Sequence, residues 1–148
     1  MSSKAEEQIQ LAIVNYIRYQ YPSVIFHSDF GSGIKLTMGQ AIKQKRLNGG
    51  RRSWPDMFIA EPKKVVISKG EHTRLVAGYH GLFIELKREG TRIFKKDGTL
   101  VSDEHIREQF DMLHDLRQRG YAAEFGIGFE ATKKLIDDYM KGRYAHVD

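Results

Sequence analysis

A carboxylate and an ammonium group interrupt the apolar segment Leu82–Lys87. Side chains of a strand alternate between its two faces, so Glu85 and Lys87 share one face and their apolar neighbours occupy the other. Burying charges in a strand is costly unless they have a partner or a function. The segment therefore predicts a reactive pair, unless the strand leaves the core at Glu85 and water solvates both charges.

Asp56 is the second candidate for chemistry. It follows Pro55, which fixes the backbone approach, and opens an apolar strand at Met57. If this strand lies beside the one that carries Glu85, two carboxylates meet and form a hard-oxygen site, which suits Mg²⁺ or Mn²⁺ rather than zinc. The alternative is a turn aspartate that binds its own backbone.

Two helical residues are predicted to face the same place. At 100° per residue, Gln109 falls within the apolar stripe of its helix, beside Leu113. In the N-terminal helix Glu6 aligns with Ile13, whereas Glu7 points about 100° further round. Each could also be a flanking residue near a helix end, but a polar group on the inner face of both helices favours a converging site.

Hydrophobic periodicity and helix-end signals predict the elements that position these residues. Thr37 and Gln40 form a capping box before a short basic helix. Ser102 is predicted to cap the helix of Gln109, and Gly120 is predicted to end it. The predicted helices cover residues 5–20, 38–47, 102–119 and 129–141; the predicted strands cover 23–30, 57–60, 82–87 and 121–127, with a hairpin in 63–79 and loops at 31–33 and 90–101.

This succession of elements predicts an α/β fold, a mixed sheet flanked by helices, in a single domain of residues 1–148. The chain has no cysteine, which excludes disulfides and cysteine-based zinc sites, and its six histidines lack metal-ligand spacing and are predicted to be surface or core residues. The polar N-terminus and the absence of a long apolar run predict a cytosolic protein without a membrane partner.

The positive charge is concentrated in one segment. The chain carries 24 basic and 19 acidic residues, yet no acidic residue lies between Asp29 and Asp56. Such a patch favours a polyanionic partner, although a solvated helix face would have the same composition. The basic residues of this segment are Lys35, Lys43, Lys45, Arg46, Arg51 and Arg52, of which the last five are predicted to bind DNA phosphates.

An ordered set of residues resembles the VRR-NUC family, the virus-type replication-repair nucleases of the PD-(D/E)XK superfamily. The similarity runs from about Ala5 to Met140, nearly the whole chain. It implies a restriction-endonuclease-like core and a Mg²⁺- or Mn²⁺-dependent DNA endonuclease. The residues that carry it are Glu6, Gln10, Pro55-Asp56, Gly81–Lys87, Gln109, Leu116 and Gly120-Tyr121.

The resemblance also implies roles for individual residues. Asp56 and Glu85 would hold the metal ion, with the Leu86 carbonyl as a further ligand. Lys87 would stabilise the phosphate or orient water. Glu6 would complete the metal shell or support a second ion, and Gln109 would orient the nucleophile or the lysine.

Two positions depart from the family pattern. The first strand ends in Asp29-Phe30-Gly31, where the family often has Asn before Gly, and Ser53 stands where a glycine is common. Neither is an expected metal ligand, so they bear on loop conformation and substrate contacts. Trp54, in the same loop, is predicted to pack rather than to stack on DNA.

Stand-alone proteins of this family imply a homodimer that acts on four-way (Holliday) junctions, with the hairpin 62–80 and Leu135 and Tyr139 of the last helix as candidate contacts. Two other functions stay open. One is a nucleic-acid-binding module without catalysis on the same scaffold. The other is a sequence-specific restriction-type nuclease, which would need recognition insertions that a chain of 148 residues barely allows.

Overall fold

The computed structural model describes residues 4–29 and 36–147, with side chains except at 65–69 and 72–77. The loop predicted at 31–33 lies outside these ranges. No helix within them is long and apolar enough to cross a bilayer. The helices are α1 (Lys4–Gln20), α2 (Met38–Leu47), α3 (Glu104–Gln118) and α4 (Gly128–Met140), and the strands are β1 (Phe26–Ser28), β2 (Met57–Ile59), β3 (Lys63–Lys69), β4 (His72–Tyr79), β5 (Leu82–Lys87) and β6 (Ala122–Ile127).

Four strands form the mixed sheet that the sequence predicts, in the order β1-β2-β5-β6. The β1–β2 and β2–β5 pairs are antiparallel, and the β5–β6 pair is parallel. β3 and β4 form a separate two-stranded sheet. In the β2–β5 register Met57 lies opposite Ile84, so one step further along Asp56 comes opposite Glu85.

The alternation of β5 divides the interior into two cores. Ile84 and Leu86 pack in the core formed with α1 and α4. Phe83 packs on the other face, in the core formed with α3, together with Leu113 and Leu116. The protein is therefore a three-layer α/β structure in which α3 covers the face of the sheet that carries Glu85 and Lys87.

Helix ends follow local hydrogen bonding. The capping box of Thr37 and Gln40 is confirmed. The predicted cap at Ser102 is wrong by one residue: the carboxylate of Asp103 accepts hydrogen bonds from the amides of His105 and Ile106. A cap side chain must reach the amides two and three residues ahead, and Ser102 lies too early to do so.

Two further predictions are corrected. β1 is shorter than the predicted strand 23–30, because the chain still turns after α1, where the Val24 amide donates to the Tyr21 carbonyl, and the strand begins only after Ile25. Tyr139 is not a surface for a partner: its side chain is fully buried, and its hydroxyl donates to the Glu61 carbonyl. Leu135 is partly buried against the same core.

Residues 30–55 join β1 to β2 and are called the connecting segment below. The pairing of the two strands continues one step past their ends, where the Asp29 amide donates to the Asp56 carbonyl at 2.9 Å. The chain thus leaves the sheet and returns to it at one point, beside Asp56. α2 lies within this segment and has no buried residue.

Candidate active site

Asp56 and Glu85 lie side by side at the end of the β2–β5 pair. Glu85 is only 5% exposed. The Asp56 carboxylate accepts a hydrogen bond from the Leu86 amide at 2.8 Å. The direct interaction of the two side chains raises the pKa of Glu85 and lowers that of Asp56, so the metal-free pair favours a proton on Glu85 that Asp56 can accept in a hydrogen bond.

The surroundings of the pair explain that proton. Burial raises the pKa of Glu85 well above its ordinary value, and the neighbouring charge of Asp56 raises it further. Burial also raises the pKa of Asp56, against the opposing effect of the Leu86 amide. The charge of Lys87 lowers both pKa values but does not cancel the cost of burial.

The donors of this pair fit a divalent ion with oxygen ligands. A cation at the two carboxylates would replace the shared proton and compensate the charges that burial penalises. The backbone N–H and C=O of a strand residue point to the same side, so the Leu86 carbonyl is directed to the side of the Asp56 carboxylate. Within residues 4–29 and 36–147 no three His, Cys, Asp or Glu side chains form a ready metal cluster.

Lys87 lies on the same face as Glu85 and is 8% exposed. Together with Glu6 it lines a polar cleft of about 270 Å³. The charge of Glu6 raises the pKa of both buried carboxyl groups, and its side chain is half-buried, whereas Glu7 is exposed. Glu6 therefore lies on the side of α1 that faces the two carboxyl groups, and within the described residues it does not form a three-carboxylate cluster with them.

Gln10 fixes the position of α1 at this site. Its side-chain amide donates to the hydroxyl of Ser28 and to the carbonyl of Asp29, both at 2.6 Å. These acceptors lie at the end of β1, where Asp29 pairs with Asp56. Glu6, one helical turn before Gln10, is thereby placed at the cleft.

Gln109 reaches the site from α3, as its helical angle predicts. It is 4% exposed, and its Nε2 donates to Glu85 Oε1 at 2.7 Å. Its Oε1 is buried and accepts no hydrogen bond from any described residue. An acceptor without a donor beside two carboxylates is suited to receive a hydrogen bond from a water molecule or a substrate.

The sequence reasoning missed His105. Gln109 Nε2 also contacts His105 Nε2 at 3.1 Å, where the amide donates and the imidazole nitrogen accepts. His105 lines the cleft with Glu6 and Lys87. The spacing of four residues between His105 and Gln109 places both on one helical face, and this signal was available in the sequence.

The loop before Asp56 is held by two contacts. Ser53 Oγ donates to Glu108 Oε2 at 3.3 Å, and the Trp54 ring packs edge-on against Phe83, with centroids 5.1 Å apart. Trp54 thus packs with one edge, while its side chain remains 49% exposed. Ser53 has a φ of 61°, in the left-handed region that glycine adopts without strain, which explains why glycine suits this position.

The predicted phosphate-binding residues lie on the connecting segment and not in the cleft. All are exposed, and none forms an ion pair with a carboxylate in the described part of the chain. The connecting segment that carries them leaves and rejoins the sheet at the Asp29–Asp56 pairing, beside the two carboxyl groups. They are Lys43, Lys45 and Arg46 of α2, followed by Arg51 and Arg52.

A solved structure titled "VRR_NUC domain protein" is similar to this chain. It is 22% identical, and the match covers 95% of this chain and 92% of that chain with a TM-score of 0.57. No protein-family profile and no curated protein matches the chain. The structural likeness confirms the fold that the resemblance implied, a nuclease-like mixed sheet flanked by helices.

The raised pKa of Glu85 predicts a stability effect of Glu85→Gln. The folded protein binds a proton that the unfolded chain has released, so its stability falls as the pH rises above the ordinary carboxyl range. Glutamine keeps the acceptor for Gln109 and offers an N–H to Asp56. Because each tenfold change in proton affinity is worth about 1.4 kcal/mol, we expect the metal-free variant to gain about 1–3 kcal/mol in unfolding free energy near pH 8.

Denaturant unfolding in EDTA at several pH values measures this effect. The gain should shrink as the pH falls and vanish below about pH 4, where the carboxyl is protonated in both states, and Glu7→Gln should show no comparable gain. Saturating Mg²⁺ should stabilise the wild type and not the variant. If the unfolding free energies of the wild type and of Glu85→Gln changed in parallel with pH, the raised pKa of Glu85 would be contradicted.

Proposed function

We propose that this protein is a divalent-metal-dependent DNA endonuclease that hydrolyses phosphodiester bonds. The observation that carries the proposal is the Asp56–Glu85 pair on adjacent strands, with Glu85 and Lys87 buried on one face and Asp56 half-buried beside them. Ionisable groups placed so far from water cost stability without a function. The nuclease-like fold and the exposed basic residues of the connecting segment support the same conclusion.

Asp56, Glu85 and the Leu86 carbonyl would hold Mg²⁺ or Mn²⁺, with Glu6 adding a ligand through water or supporting a second ion. When bound, such an ion neutralises phosphate charge and makes water a stronger nucleophile. Asp56 is kept in place by the Leu86 amide and Glu85 by the Gln109 amide. Each carboxylate therefore has one oxygen fixed by the protein and another available.

Lys87 and Gln109 would act on the reacting groups. Hydrolysis adds negative charge to the oxygens of the scissile phosphate, and an ammonium held beside them stabilises the transition state. The Oε1 of Gln109 would accept a hydrogen bond from the attacking water and so orient it. Attack at phosphorus then expels one ester oxygen, which takes up a proton and leaves as a hydroxyl.

The substrate we propose is branched DNA, such as a four-way junction, cut by a homodimer. Each chain supplies one Asp56–Glu85 site, and symmetric cutting of two strands requires two sites, which a two-fold dimer provides most simply. The family resemblance points to the same assembly.

Asp56→Ala and Glu85→Ala are expected to abolish cleavage while DNA binding persists, because the basic residues are untouched. Lys87→Met should slow cleavage by roughly a hundredfold or more. Gel assays on labelled linear, flap, single-stranded and junction DNA with Mg²⁺, Mn²⁺ or EDTA test this. Glu6→Gln should lower activity, whereas the adjacent control Glu7→Gln should not. Wild-type cutting by either alanine variant would refute its role; binding without cutting by the wild type would indicate a non-catalytic module.

Arg51 and Arg52 are expected to bind phosphates. Replacing both by Gln should reduce the slope of log K against log[salt] by about 0.9 for each phosphate that the variant no longer neutralises. Fluorescence anisotropy across a salt series measures the slope, with Arg18→Gln plus Arg119→Gln as an exposed control of equal charge. An unchanged slope in the Arg51/Arg52 variant would place the DNA on another surface.

Assembly is tested by light scattering on a size-exclusion column. We expect a mass of two 17.1 kDa chains at tens of micromolar protein, together with faster cutting of junctions than of linear duplexes. A monomer that cuts both substrates equally would refute the dimer and the junction preference together.

A further inference from the structure

α2 has an unusual surface for a helix of a folded protein. No residue of it is buried, and three large apolar side chains face solvent, with exposures of 82% at Met38, 54% at Ile42 and 75% at Leu47. A ten-residue helix without tertiary packing is marginal in water. Here the capping box supports its first turn, and the Asn48 amide bonds back to Gln44 and Arg46 at its end.

Apolar and basic residues share one stripe of this helix. Gly39, Ile42, Lys43, Arg46 and Leu47 recur at the three- and four-residue spacing of a single face and together line a shallow cleft. A Cβ at Gly39 would meet no other atom, so this end of the stripe permits close approach. The stripe therefore fits an occupant that is both anionic and apolar.

Nucleic acid with interrupted stacking has that combination. Intact B-form duplex offers phosphates but covers its base faces, whereas a branch point exposes bases and sugars beside the phosphates. Proteins that insert Ile, Leu or Met side chains at such steps use flanking cations on the backbone. A second copy pairing through the same stripe would instead bring Lys43 and Arg46 against their equivalents, with no acidic residue in the connecting segment to compensate.

The position of α2 agrees with this occupant. The connecting segment begins and ends at the Asp29–Asp56 pairing, so the chain on both sides of α2 leads to the candidate active site. The loop that returns from α2 is anchored on the sheet by Trp54. Contacts on the helix are thereby tied to the place of cleavage.

We propose that α2 is the element that recognises the branch: Ile42 and Leu47 pack against unstacked bases or sugars, while Lys43 and Arg46 hold the adjoining phosphates. This inference rests on the proposed function and gives it a specificity determinant. The occupant is DNA at a point of broken stacking, and α2 discriminates it from linear duplex by its apolar residues rather than by its charge.

The test is a binding experiment in EDTA with the full chain, so that it does not depend on cleavage. The probes are a four-way junction and a linear duplex, with 2-aminopurine at the branch point and at the equivalent linear position. We expect Ile42→Gln plus Leu47→Gln to weaken junction binding by about tenfold, to abolish the 2-aminopurine fluorescence increase, and to leave linear binding and the salt slope unchanged.

The matched control is Ile25→Gln plus Leu11→Gln, since these side chains are 74% and 62% exposed outside the connecting segment. Ile42→Met plus Leu47→Met should retain junction binding, because the apolar surface is kept. Unchanged junction affinity in the glutamine variant would overturn the proposal, as would an equal loss on both probes. A dimer that falls to monomer mass in that variant would identify a second copy as the occupant and overturn it too.

Failure of this proposal is distinguishable from failure of the proposed function. A wild type that does not cut DNA in Mg²⁺ or Mn²⁺ refutes the nuclease, whatever α2 binds. A glutamine variant that cuts and binds junctions like the wild type refutes the role of α2 and leaves the nuclease intact.

Discussion

The central constraint of this structure is the antiparallel register of β2 and β5. It places the carboxyl groups of Asp56 and Glu85 side by side, with Glu85 buried and Asp56 half-buried. Two adjacent negative charges with one of them buried cannot both persist without a counterion, so the pair holds a proton or a cation. The Leu86 amide holds Asp56 and the Gln109 side chain holds Glu85, so the two carboxyl groups cannot move apart to relieve their repulsion.

The alternation of side chains along β5 makes the burial of ionisable groups tolerable. Ile84 and Leu86 belong to the hydrophobic core with α1 and α4, so this face of the strand contributes stability through apolar side chains. The opposite face holds Phe83 and then the charged residues Glu85 and Lys87, beneath α3. The two faces of β5 thus differ: one packs in a hydrophobic core, and the other carries the candidate site. α3 contributes to packing through Leu113 and to the site through Gln109.

Local patterns predicted much of this arrangement. Strand alternation placed Glu85 and Lys87 on one face, and helical angles placed Gln109 and Glu6 inward. Of the missed features, His105 could have been found from its four-residue spacing to the inward Gln109. The Asp29–Asp56 pairing could not, because it depends on the β1–β2 register, which joins segments distant in sequence. The cap at Asp103 rather than Ser102 is decided by side-chain reach, which composition does not resolve.

The Asp29–Asp56 hydrogen bond closes the connecting segment at its base. A loop whose ends are already held by the sheet changes its closure entropy only slowly with length, and α2 makes no buried contact that a replacement would have to reproduce. Insertions, deletions or exchange of α2 therefore leave the paired strands and their carboxylates largely undisturbed, provided that the contacts of Ser53 and Trp54 are kept. In evolution, the surface that α2 presents can diverge while the carboxylate pair stays constant, and in protein engineering α2 is a natural place for grafting a different surface.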